Sequence, residues 1–117
     1  MLNLYAIHDA KTGAYMNPWP AHTDESAQRE FQQAIANEKT PFMADLMSYS
    51  LFRIGQWNER EGILTPELPP HYVITAKDAF TSMQHDQEIF RKLLGEQQNA
   101  EDSIVEPEVR NNTPSIN

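Results

Sequence analysis

The chain has 117 residues, 39% of them hydrophobic, with a mean hydropathy of −0.64 and a formal charge of −8. That is one domain's worth of sequence, able to bury roughly two thirds of its unfolded surface without staples. Cysteine is absent, which excludes disulfides, thiol catalysis and cysteine-ligated zinc. No apolar run approaches the ~20 residues that span a bilayer, and the N-terminus lacks the basic and long apolar regions of a secretory signal. The expectation is a protein that stays in the compartment where it is made, with no membrane partner.

In chain order, "LNLYAIH" at residues 2–8 is rich in strand formers, and "DAKTG" follows with Asp9 and Gly13 suited to a hairpin loop. "AYMNPW" reads as the return strand. It ends with Trp19 between Pro18 and Pro20, a pattern that a central strand cannot use because proline has no N–H for the ladder. Trp19 is therefore expected at a strand edge or exit, as a lid over the core or as a ring offered to a ligand. Thr23 is placed to cap a helix over about 24–37, with Asp24 and Glu25 in its first turn. Ala27, Phe31, Ala34 and Ile35 share one face of that helix.

"NEKTPFMADLMS" reads as a loop with one helical turn near 44–47. "YSLFRIGQW" is the clearest strand, and "NEREG" is a turn closed by Gly62, leading into a short strand "ILTPEL". "PELPPHYVIT" is expected as a proline-rich connector with "YVIT" as an edge strand. A second helix is predicted over 78–98, with Phe80, Met83, Phe90 and Leu94 along one stripe joined by Ile89 and Leu93. Residues 99–117 are expected to form a disordered acidic tail. The expected fold is α+β: a small antiparallel sheet of order β-β-α-β-β packed on an amphipathic helix over 1–77, with the helix 78–98 and the tail appended.

Charge is uneven. Residues 1–77 carry nine acidic and six basic side chains, net −3; residues 78–117 carry eight and three, net −5. That balance argues against strong nonspecific phosphate binding and leaves only a local basic patch. His8, His22, His71 and His85 are dispersed and make no H-x-x-x-H or H-E-x-x-H pair, so no metal or other cofactor is expected. There is no G-x-S-x-G, phosphate-binding loop or dinucleotide fingerprint. These features point away from an enzyme.

What remains is aromatic content on the sheet. Strict alternation puts Phe52 and Ile54 on one face of their strand, and Tyr49, Leu51, Arg53 and Trp57 on the other. Tyr5 and Ile7 share a face, as do Tyr15, Asn17 and Trp19. Rings on a sheet face can stack unpaired bases. Rings at strand spacing also serve as core, or as contacts with another subunit.

The run "LYAIHDAKTGAYMNPWPAHTDESAQREFQQAI", followed by "YSLFRIGQWNEREGIL", resembles the small nonstructural protein of gokushovirus-like microviruses, tailless phages with single-stranded DNA genomes. The resemblance covers roughly residues 2–65. It rests on Tyr5, Ile7 and Asp9; Lys11 and Gly13; Pro18 and Trp19; Phe31; and the Leu51-Phe52-Arg53-Ile54-Gly55-x-Trp57 strand. It implies a noncatalytic DNA-binding protein of the Microviridae, acting in the host cytoplasm in the production of progeny single-stranded DNA.

On this expectation Tyr5, Tyr15, Trp19 and Trp57 stack bases, while Lys11, Arg53 and Lys77 meet phosphates. The acidic tail would compete for the basic groups or recruit viral or host replication and packaging proteins. The alternative is a scaffold-like protein in which the aromatic face and the helical stripe make subunit contacts. A homodimer is compatible with both.

Overall fold

The computed structural model describes residues 1–105, with side chains through Gly95. Its elements are β1 (Leu2–Asp9), β2 (Ala14–Tyr15), β3 (Trp19–Ala21), α1 (Asp24–Ala36), β4 (Tyr49–Asn58), β5 (Ile63–Thr75) and α2 (Ala76–Val105), with a single 3-10 turn at Met43–Asp45. The architecture is α+β, as expected. All strand pairs are antiparallel in the order β2-β1-β4-β5, and β3 pairs with β1 on the same side as β2.

Two turns of the same construction close the hairpins. Gly13 N–H donates to the Asp9 carbonyl and Gly62 N–H to the Asn58 carbonyl, each at 2.8 Å, with φ of 73° and 69° at the two glycines. A left-handed residue is needed there, and glycine adopts it without a Cβ clash. The side chains of Asp9 and Asn58 cap the turn interior by accepting from Lys11 N–H and Arg60 N–H.

α1 starts where its cap predicts: Thr23 Oγ1 accepts from Ser26 N–H at 3.1 Å. Its apolar stripe buries Ala27, Phe31 and Ile35 against Tyr5, Ile7 and Leu51 of the sheet, and Phe42 and Tyr49 close the core. Burying each large side chain of this set contributes about 2–3 kcal/mol. Ala76 and Ala79, in the first turns of α2, complete the same core, and Gln32 Nε2 on α1 donates to the Ala79 carbonyl at 3.1 Å.

The expected return strand after the first turn is split. Residues 16–18 leave the ladder between β2 and β3, held only by Met16 N–H donating to the Ile7 carbonyl. The connector and edge strand expected after residue 63 are instead one irregular strand, β5, which carries Pro66, Pro69 and Pro70 on the sheet's outer edge. α2 runs past its expected end at 98 to Val105, short of Pro107, the next residue that cannot continue a helix. The rest of the expected tail, 106–117, lies outside the described residues.

The chain divides into two compact units, Met1–Met83 and the part from Gln84 onward. In the second, Ile89, Phe90, Leu93 and Leu94 are 44–63% exposed. No helix among the described residues is long and apolar enough to cross a membrane.

Candidate nucleic-acid interface

Strand register decides which rings face the helix layer and which face away. β4 has one extra residue, Ile54, opposite the Leu4–Tyr5 step of β1: Leu4 pairs with Gly55 but Tyr5 with Arg53. A one-residue slip moves every later side chain to the other face. On the α1 side lie Tyr5, Ile7, Leu51 and Arg53; on the other lie Leu2, Leu4, Ala6, His8, Phe52 and Trp57. Trp57 is thus separated from Arg53, contrary to the strict-alternation expectation.

The side away from α1 carries a continuous row of rings. Tyr15 on β2 pairs with His8 on β1, Phe52 on β4 pairs with Ala6, and Tyr72 on β5 pairs with Phe52. Ring centroids are 4.7 Å apart for His8–Tyr15, 5.6 Å for Tyr15–Phe52 and 5.9 Å for both His8–Phe52 and Phe52–Tyr72. Tyr15 and Tyr72 stand at 82° and 74° to Phe52, in the edge-to-face arrangement that aromatic pairs favour. Ala6, opposite Phe52, is small enough to leave the space in which these rings meet. Tyr15 and Tyr72 are 45% and 49% exposed, so both residues are open to solvent on this face. Farther along the same face Leu2, Trp57 and Leu64 form a second patch, partly aliphatic.

Of the seven residues expected to touch DNA, Tyr15 is part of the row. Tyr5 is not: it is fully buried, and its hydroxyl donates to Asp24 Oδ1 at 2.5 Å, so it is a core ring and cannot stack a base. Burial first, and the bond to Asp24 second, push its pKa up to about 12. Trp19 pairs with Tyr5 and lies on the α1 side, where its Nε1–H donates to Glu30 Oε1 at 2.8 Å. It lids the core edge, beside an apolar groove lined by Ile7, Met16, Phe31 and Ala34. It separates from Tyr15 because residues 16–18 break the alternation.

Arg53 is also unavailable. Its Nε and Nη2 donate to the two oxygens of Glu67 at 2.7 and 3.1 Å, and its Nη1 donates to both oxygens of Asp24 at 3.1 and 3.0 Å. The guanidinium clamps the start of α1 to β4 and β5, and two carboxylates outweigh its charge. Its bonds lower the pKa of Glu67. Burial works to raise that of Asp24, but the bonds from Tyr5 and Arg53 prevail and lower it.

Lys11, in the first turn, is tied to Asp45 with Nζ 2.5 Å from Oδ2. Lys77 is exposed in the first turn of α2, two residues beyond Thr75, whose partner Ser50 pairs with His8. Among the described residues it makes no ion pair.

Sequence reasoning missed His8, Phe52 and Tyr72. The spacing of His8 from Ala6 was legible as one face of a strand, but the alignment of three strands that joins these rings was not. No cluster of three or more His, Asp or Glu suited to a metal occurs among the described residues.

The fold and this row define a small α+β sheet protein with an open aromatic face. Residues 2–79, two thirds of the chain, match the family described as phage ORF5 protein, and the chain belongs to that family. No curated protein and no solved structure matches it.

Proposed function

We propose that this phage protein binds single-stranded DNA without catalysis, the bases of the DNA stacking on Tyr15, Phe52 and Tyr72 and Lys77 meeting a phosphate, and that it serves genome replication or packaging in the host cell. The observation that carries this reading is the half-exposed aromatic row on the side of the sheet away from α1. Each stacked base contributes about 1–3 kcal/mol and requires no sequence match. The resemblance to microvirus nonstructural proteins supports the same choice of ligand.

The test is anisotropy of fluorescein-labelled dT12 titrated with the full chain. Tyr15→Ala and Tyr72→Ala are each expected to weaken binding about fivefold or more while leaving the urea midpoint near that of the parent. Unchanged affinity in both variants sinks the proposal.

The exposed Ile89, Phe90, Leu93 and Leu94 stripe favours a second reading, in which the protein works through self-association without touching DNA. Sedimentation velocity decides it: a dimer that Leu93→Glu dissociates, together with no dT12 binding, replaces the first reading with the second.

A further inference from the structure

We infer that the open face takes a short unpaired run, on the order of three nucleotides, laid across the strands and held mainly by its bases, with all but about one of its phosphates left in solvent. This rests on the single-stranded-DNA reading above. The rings come from β2, β1, β4 and β5 in sheet order, so the row runs perpendicular to the strands. It is bounded at both ends. Tyr72 lies on the outermost strand, and Tyr15 lies on β2, a strand of only two residues at the opposite edge. The two half-exposed tyrosines flank Phe52 at 5.6 and 5.9 Å and stand at 82° and 74° to it, so the row presents a few separate stacking surfaces and no long platform.

The cations are arranged to the same effect. Among the six Lys and Arg of residues 1–83, Lys11 and Arg53 are spent on carboxylates. Arg29 is on α1 and Lys39 in the loop after it. Arg60 is in the β4–β5 turn, which begins about 20 Å along β4 from Phe52. Lys77, which makes no ion pair among the described residues, comes two residues after Thr75, which the register joins through Ser50 to His8 of the row. A ligand held here neutralises about one phosphate, so its affinity depends weakly on salt.

The experiment is a ladder of labelled dT2 to dT12, titrated at 50 and 200 mM NaCl, beside a hairpin duplex of mixed sequence. Affinity per register is expected to level off at about three or four nucleotides and to fall about threefold across the salt range, with the duplex at least tenfold weaker. Tyr72→Ala should shorten the plateau, and Tyr72→Phe should restore it. Affinity per register that keeps climbing to dT12, a salt loss above tenfold, or equal binding of the duplex overturns this inference while leaving single-strand binding intact. No binding at any length overturns the proposed function itself.

Discussion

Tyr5 and Arg53 stand opposite one another on β1 and β4, and both end on the same carboxylate, that of Asp24. One acidic residue at the start of α1 therefore satisfies a buried phenol and half of a guanidinium, while Glu67 on β5 takes the other half. The helix and both strands are tied through one arginine, which explains why a residue that looks like a phosphate contact lies apart from the aromatic row.

Arg53→Met is expected to cost about 1–3 kcal/mol at neutral pH, because it leaves two neighbouring carboxylates without their cation. In the parent, Asp24 and Glu67 titrate below their ordinary 3.8 and 4.5 when folded. Their contribution is complete above about pH 4.5 and disappears as pH falls through the lowered folded values. Thermal melts between pH 2.5 and 7 should show this acid limb in the parent and a flatter one in the variant. An identical limb in both would remove Arg53 as its cause.

At the alkaline end the sign reverses. Tyr5 is held neutral to about pH 12, above its ordinary value of 10.0, so its share of stability is present below pH 10 and is lost as pH rises toward 12. Absorbance at 295 nm should show one late-ionising phenol that is missing from Tyr5→Phe.

Gly55→Ala tests how closely β4 and β5 approach. A Cβ there would sit 2.6 Å from the Thr65 carbonyl oxygen and 3.3 Å from Pro66 Cα, both backbone atoms. A loss of about 1–3 kcal/mol is expected, read as a lower urea midpoint. Gly13→Ala acts through conformation rather than space. No atom lies within 4 Å of its would-be Cβ, so the cost comes from φ of 73°.

Trp19→Phe should keep dT12 affinity within about twofold, since the ring is on the helix side of the sheet; it should lower stability by about 0.5–1.5 kcal/mol through the lost bond to Glu30. Trp57, on the same side of the sheet as the aromatic row, remains as the fluorescent reporter. Large loss of DNA affinity in this variant would relocate the interface to the groove beside α1.

Local chemistry made much of this fold readable. Thr23 before an amphipathic run, and Asp9…Gly13 and Asn58…Gly62 between apolar stretches, each need only their near neighbours to specify a cap or a turn. The candidate site was less readable for the same reason. Whether Trp57 shares a face with Arg53 or with Phe52 depends on one unpaired residue, Ile54, and that is decided by the strand alongside it. Likewise, Met16 to Pro18 leave the ladder because β2 and β3 pair with separate stretches of β1, and this moves Tyr15 and Trp19 to opposite sides. Tyr5 and Tyr15 look alike in sequence; only Asp24, nineteen positions from Tyr5, marks one as core.

The three prolines of β5 have a consequence for how copies of this chain can meet. They remove donors from one edge strand of the sheet, while the opposite edge consists of β2 and β3, only two and three residues long, so neither flank offers a clean template onto which another copy can zip. Open-ended fibre growth is discouraged at both borders. The protein can thus leave a greasy, ring-studded surface bare without its sheets extending one another sideways.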